Sequence, residues 1–248
     1  MTDLNTTLPS ALQRALELLA DPPTQPDVSK GYLDLLSTDA AEDAAVPKNT
    51  GPFQALLASR VGSMVYDYNQ ALLRRLFAAW LQPTEWLNIP TAGIALDVGC
   101  GPGSVTASLA RAVGSDGLVL GVDISESMLA RAVRAESGPQ IGFLRADAQR
   151  LPLRNETVDA IVCIAVLQLV PDPVAALAEM ARVLRPGGRL AAVVPMAGRA
   201  VRFLRRFPNT WGYVFGEDEL GDILEDHGFV SVRTKSFGIF QSVRGKRG

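Results

Sequence analysis

Three aspartates close successive apolar runs in the middle of the chain. Asp97 stands in Leu96-Asp97-Val98-Gly99-Cys100-Gly101-Pro102-Gly103, Asp123 follows Leu118-Val119-Leu120-Gly121-Val122, and Asp147 follows the run at 141–145. An apolar run, a glycine-rich turn and a helical pattern in that order mark where open α/β sheets hold nucleotides. The turn carries a carboxylate and no lysine, which points away from phosphate; a ligand with a cationic amine and a sulfonium would welcome that charge. Its glycines do not complete a dinucleotide pattern: Gly99 and Gly101 fit G-x-G-x-x-G, but the third position is Ser104. Asp123 comes 20 positions after Gly103, which suits a bidentate hydrogen bond from a strand tip to ribose hydroxyls. Any one of these aspartates alone reads as a turn former; the repetition favours a site.

Acid–base candidates are few. His227 is the single histidine and falls at an expected helix C-terminus, where the dipole favours it structurally. Gln168 can orient a substrate by hydrogen bonds but cannot take a proton near neutrality. Tyr66 and Tyr68 fall in a segment expected to fold over the site, where aromatic packing competes with a substrate role. The two cysteines, Cys100 and Cys163, read as buried free thiols. No spacing of His, Cys and carboxylates suggests a metal.

The elements that must position these residues follow from periodicity and breakers. Parallel strands are expected over 94–98, 118–122, 141–145, 160–165 and 189–194. Helices are expected over 104–113 with Ser104 as N-cap, after Ser125 as N-cap, over 174–184, and over 217–226 ending at His227-Gly228. Pro186-Gly187-Gly188 reads as a turn. Residues 230–235 and 239–243 are expected to close the sheet as an antiparallel pair, and 244–248 to form a solvated basic tail. Before the core, 9–20 fits a short helix, Asp21-Pro22-Pro23 begins a break, 31–37 fits another short helix, and 40–50 reads as a linker. Residues 53–81 follow a helical period interrupted at Gly62.

Taken together, these pieces resemble the class I methyltransferases that use S-adenosylmethionine, specifically the small-molecule group called type 11. The resemblance rests on 96–103, on Gly121-Val122-Asp123-Ile124-Ser125, on Arg145-Ala146-Asp147-Ala148-Gln149-Arg150-Leu151-Pro152-Leu153 and on Val183-Leu184-Arg185-Pro186-Gly187-Gly188-Arg189-Leu190. It covers roughly 91–195 and fades on both sides. It implies an α/β fold: a Rossmann-like seven-stranded, mostly parallel sheet with helices on both faces, the last strand antiparallel, and an N-terminal helical cap. Residues 1–90 would supply a helical segment and lid, and 91–248 the cofactor-binding core. The resemblance places the methionine moiety on the turn with Asp97, Gly99, Gly101 and Gly103. It places Asp123 on the ribose, Asp147 with the Ala148 backbone on the adenine, and Ile124, Met128 and Ile164 along the cofactor. Gln168 and Tyr66 are its catalytic candidates, and relatives often carry a histidine where Gln168 stands.

Composition agrees. The chain has 248 residues, 48% of them hydrophobic, and a net charge of −2, which describes an ordinary folded protein and not a basic nucleic-acid binder. No stretch approaches a membrane span, and the start lacks a secretory pattern, so a cytoplasmic location is expected. An Asn/Asp-Pro-Pro-aromatic element after the fourth strand, a Pro-Cys nucleophile and paired glutamates near that strand are absent from the expected places, which lowers nucleic-acid and arginine methylation. The expected activity is methyl transfer to a small molecule, a lipid or secondary metabolite, with no nucleic acid, no stable membrane insertion and the oligomeric state open. The alternatives are a catalytically inactive S-adenosylmethionine-binding interaction protein and a polyamine-synthase-like transferase. The basic and apolar run 199–207 reads either as a solvated arginine face or as a receiver of an anionic or lipid-like substrate.

Overall fold

The computed structural model describes residues 8–36, 86–136, 138–195, 213, 215–237 and 240–248. Its strands in chain order are β1 (Leu33–Asp34), β2 (Ile94–Val98), β3 (Leu118–Asp123), β4 (Ile141–Arg145), β5 (Val158–Ile164), β6 (Leu184–Pro195), β7 (Phe229–Phe237) and β8 (Phe240–Arg247). Its helices are α1 (Ser10–Leu18), α2 (Ser104–Val113), α3 (Glu126–Ala135), α4 (Pro173–Val183) and α5 (Glu219–Asp226). The strands form one sheet ordered β1-β4-β3-β2-β5-β6-β8-β7. Neighbours from β1 to β6 are parallel, and β8 runs antiparallel to both β6 and β7. After β2 the chain first builds outward through β3 and β4, then returns to add β5 on the other side. The carboxyl ends of β2 and β5 therefore border the crevice where such sheets bind ligands.

Alternation along the strands sends successive side chains to opposite faces. Leu96, Leu120, Ile161 and Leu190 join α1, α4 and α5 in the largest apolar cluster. Ala95, Val119, Ala160 and Val162 pack on the other face with Leu109, Ala110 and Val113 of α2. Beside them Leu129 and Ala132 of α3 cover Phe143. Local chemistry sets the helix starts. Ser125 Oγ accepts the Met128 N–H at 3.4 Å ahead of α3, and Asp172 Oδ1 accepts the Val174 and Ala175 N–H groups at 3.0 Å ahead of α4, caps worth about 1 kcal/mol each.

Among the described residues the expected seven strands are present, and an eighth joins them. Of the helix expected over 31–37, the described residues 31–36 are not helical: Leu33 and Asp34 pair with Leu144 and Arg145 as the edge strand β1. Two residues are too few to show a period of their own, and an available neighbour decides their conformation. The basic end of the chain is not a solvated tail. Arg244, Lys246 and Arg247 lie in β8, and Arg247 donates to the carbonyls of Ala181, His227 and Gly228. Pro186-Gly187-Gly188 turns within β6, where Leu184 pairs with Val158 and Arg189 with Ala160. The N-cap of α2 is Gly103, with Ser104 already helical and no side-chain capping bond.

One polar staple sets the loop that follows β4. Arg182 of α4 donates to the carbonyls of Leu151 and Leu153, to Asn155 Oδ1, and to both oxygens of Glu179. Glu179 Oε2 in turn accepts the Leu151 N–H at 2.9 Å. Residues 37–85, on which the expected lid rests, and the basic run 199–207 lie outside the described residues. Residues of the first 36 do enter the core: Ala11, Leu12, Ala15 and Leu33 are buried there.

Candidate functional site

The turn after β2 is built against β3. The Gly99 and Cys100 N–H groups both donate to the Val122 carbonyl, at 2.7 and 3.0 Å. The Gly101 N–H donates to Asp123 Oδ2 and the Ser125 N–H to Asp123 Oδ1, each at 2.9 Å. Asp123 thus ties the tips of two strands together while each oxygen keeps capacity for a further donor. Gly99 has φ +72°, and a Cβ there would lie 2.1 Å from Val166 Cγ2, so only glycine permits this approach to the segment after β5. Gly101 has φ +52° and nothing within 4 Å of an added Cβ. The turn is open to space on that side.

Beneath the turn lies Asp97, 2% exposed. Its Oδ2 accepts the Thr106 hydroxyl of α2 at 2.6 Å. Burial pushes its carboxyl up to about 7; the Asp123 charge adds to the rise, and hydrogen bonds from Thr106 oppose it. Burial also raises Asp123, opposed by the backbone N–H groups of Ser125, Gly101 and Ile124. Among the described residues, the groups that shift these two acids are a hydroxyl, backbone amides and, for Asp97, the Asp123 carboxylate, with no cation among them. A site of that kind favours a positively charged ligand.

The remaining expected positions surround this centre. Ile124 follows Asp123 and is 44% exposed, an apolar surface beside the carboxylate. Met128 is half-buried on the first turn of α3. Asp147 accepts the Gln149 N–H at 2.9 Å and the Gln149 amide on both oxygens, at 3.2 and 3.0 Å. Gln149 Oε1 then accepts the Asp172 N–H at 3.0 Å, which ties this loop to the start of α4. Ala148 packs partly buried on the larger cluster, and Ile164 on the smaller one. Gly103 is the N-cap of α2. Gln168 lies in a single 3-10 turn, Leu167–Leu169, directly beyond β5. Its Oε1 is buried with no hydrogen-bond partner among the described residues, and its backbone carbonyl accepts the Tyr213 N–H at 2.8 Å. Tyr66, and Tyr68 with it, lies outside the described residues.

Sequence reasoning missed three contributors. Thr106 is one of the buried residues of α2 with Leu109, Ala110 and Val113; a lone hydroxyl in an otherwise apolar stripe was the available signal. Val166 fills the space against Gly99. Ala165 holds φ +57° while its N–H donates to Val193 O at 2.8 Å, a left-handed conformation costly for alanine. No local pattern announces either. His227 is a capping residue: its Nδ1 lies 2.7 Å from the Ile223 carbonyl at the end of α5. Cys100 and Cys163 are buried free thiols, and burial raises both. Among the described residues, no group of three or more His, Cys, Asp or Glu is arranged to hold a metal ion, and no helix is long and apolar enough to cross a membrane.

Comparison with known proteins bears on the family and the fold. The family described as "Methyltransferase domain" matches residues 96–192. A demethylmenaquinone methyltransferase of Staphylococcus aureus is 31% identical over 169 residues, which cover 58% of this chain and 70% of that protein. A 2-phytyl-1,4-naphtoquinone methyltransferase of Thermosynechococcus vestitus is 39% identical over 137 residues, 54% of this chain and 61% of that protein. A solved S-adenosylmethionine-dependent methyltransferase from Aquifex aeolicus superposes with a TM-score of 0.54 at 26% identity, covering 66% of this chain and 87% of the other. The chain spans 61% and 56% of the length of two of the curated quinone-methylating relatives it matches.

Proposed function

We propose, from the premise that this chain belongs to the class I S-adenosylmethionine-dependent methyltransferases, that it transfers a methyl group to a small-molecule acceptor of lipid or secondary-metabolite type. The observation that carries the reading is the pair of carboxylates, Asp97 buried and Asp123 half-buried, around a glycine turn that is open at Gly101. The family's cofactor fits these residues. Its amine and sulfonium are cationic, and the acids here are uncompensated by a cation among the described residues. Its ribose offers hydroxyl donors, and Asp123 keeps acceptor capacity after receiving two backbone N–H groups. Its adenine is flat and apolar-faced, and Ile124 presents exposed apolar surface next to Asp123.

When bound, S-adenosylmethionine supplies both the electrophilic methyl group and the leaving group of an in-line displacement. The protein's share is to aim the acceptor and keep water away. Asp97 and the turn hold the amino-acid end. Asp123, with Ile124 and Met128, holds the nucleoside, and the loop at Asp147 and Ala148 borders the adenine. Val166, packed on Gly99, and the buried Leu167 wall the side toward β5. Gln168 orients the acceptor: its buried Oε1 takes a hydrogen bond from a hydroxyl or amine and leaves proton removal to the acceptor's own acidity. The names of the quinone-methylating relatives support a lipid-like acceptor. We also place the protein in the cytoplasm, in keeping with its two unpaired thiols.

Calorimetry with S-adenosylmethionine and its demethylated product, followed by an acceptor panel that includes phenolic quinols, tests the reading. Asp123→Ala is expected to weaken cofactor binding by about 1–3 kcal/mol, the cost of a lost buried hydrogen-bonding group. Wild-type affinity in that variant would remove Asp123 from the site, and binding of neither cofactor form by the native chain would end the proposal.

A further inference from the structure

Arg145, the last residue of β4, has a carboxylate beside it in both neighbouring strands: it pairs in register with Asp34 of β1 and with Asp123 of β3. Its side chain spans the same gap. Nη1 donates to Asp34 Oδ2 and Oδ1 at 3.1 and 3.3 Å and lies 3.2 Å from Glu126 Oε1, while Nε donates to the Ile124 carbonyl at 3.4 Å. Lys30 completes the group, 2.8 Å from Glu126 Oε2 and 3.9 Å from Asp34 Oδ2. Asp34 is 2% exposed and also accepts the Leu36 N–H at 3.2 Å. The contacts therefore run from the segment before the core, through a buried acid, to the carbonyl and the first helical residue that flank the Asp123 loop. Lys30 and Arg145 together hold the Glu126 carboxyl below its ordinary range.

We propose that Arg145 is a positioning residue for the nucleoside half of the cofactor site. With Lys30, Asp34 and Glu126 it forms a latch that sets the Asp123–Ile124 loop and makes cofactor affinity depend on docking of the edge strand β1. The proposal rests on the cofactor reading above. Its physical basis is the different demand each contact makes. By itself, an exposed ion pair such as Lys30 with Glu126 contributes little. A guanidinium shared among a buried carboxylate, a second carboxylate and a backbone carbonyl fixes three elements at once and in one geometry. Loss of Arg145 leaves the buried Asp34 with the Leu36 N–H and only a distant Lys30, 3.9 Å away, and frees the Ile124 carbonyl, so the loop relaxes where ribose hydroxyls must be met.

The test is the affinity for S-adenosylhomocysteine, measured by calorimetry on the full chain. Arg145→Met is expected to weaken it at least 10-fold, Arg145→Lys to recover part of the loss, and Glu126→Gln to weaken it a few-fold. Arg185→Met is the control for mere loss of stability: Arg185 makes a shorter pair with Asp159, 2.7 Å, at the start of β5 and far along the strands from the turn. It is expected to keep native affinity. Native affinity in Arg145→Met, or an equal loss in Arg185→Met, overturns the latch. If Arg145→Met does not fold, Glu126→Gln combined with Lys30→Met at the exposed side of the network gives the same readout, and native affinity there overturns it as well. Failure of the native chain itself to bind S-adenosylhomocysteine sinks the cofactor reading; binding by the native chain with unaffected variants sinks the latch alone.

Discussion

The two ends of the parallel strands use the same residue types in opposite ways. At the amino ends, Asp159 is satisfied within the protein: Oδ2 accepts the Ile94 N–H at 2.7 Å and Oδ1 meets Arg185 at 2.7 Å. At the carboxyl ends, Asp97 is buried against a hydroxyl and feels the charge of Asp123, and the half-buried Asp123 meets only backbone amides. The first arrangement stabilises the sheet and requires nothing further. The second keeps a cost in the free protein that a cation relieves. The contrast teaches that burial without an internal counter-charge distinguishes a ligand-facing acid from a structural one, although both sit at strand ends.

The largest expected effect breaks or upholds that contrast through pH. Folded Asp97 titrates near 7 against an ordinary value of 3.8. Between those values the unfolded chain has released the proton and the native protein retains it, so this group's contribution to stability falls as pH rises from about 4 to about 7. The upper limit is about 4 kcal/mol, from three pH units at ~1.4 kcal/mol each. Urea unfolding of the ligand-free protein at pH 5 and pH 8, which covers about two of those units, is expected to show a loss of up to ~3 kcal/mol in the native chain and a flatter dependence in Asp97→Asn. Equal slopes would remove the burial of Asp97 as a source of the pH dependence. By the same linkage, S-adenosylmethionine binding below pH 7 should release a proton and tighten toward pH 7.

Gly99→Ala comes next. The left-handed backbone costs about 1–2 kcal/mol for a side chain, and overlap with Val166 at 2.1 Å adds overpacking of similar size. Chemical denaturation is expected to report a loss of about 3 kcal/mol. A smaller effect sharpens the comparison further. Gly101 at the turn and Gly114 after α2 both have positive φ and open space around an added Cβ. Each alanine substitution is expected to cost about 1 kcal/mol of stability, yet only Gly101→Ala should weaken cofactor binding. Equal binding by the two variants would show that the space beside Gly101 is not used. Smallest is Ala165→Gly, which removes left-handed strain but adds chain entropy, for a net gain of about 0.5 kcal/mol. A loss in thermal unfolding would mean that the φ of +57° is not strained.

Much of the sheet was legible because its strands are local signals. The runs at 94–98 and 141–145 became β2 and β4 with the expected bounds, and 104–113 became α2. Each is an apolar run or stripe bounded by glycine, proline or charge, and no distant residue is needed to choose its conformation. The basic end at 244–247 reads as solvated by composition, and only a place between β6 and β7 makes it a strand. Likewise, a serine after a glycine turn is a natural cap on paper, but the turn enters the helix one residue earlier, at Gly103.

The residue types and their order were enough to establish a nucleotide-type crevice lined by acids, because the pattern of apolar run, glycine turn and carboxylate is written in consecutive positions. Folding alone decided which acid is neutralised and which is left waiting. That outcome depends on burial, on Thr106 reaching Asp97 from the facing helix, and on Arg145 meeting Asp34 from a segment 111 positions away in the chain. Electrostatic free energy depends on distance and on exclusion of water, and neither is a property of neighbouring letters.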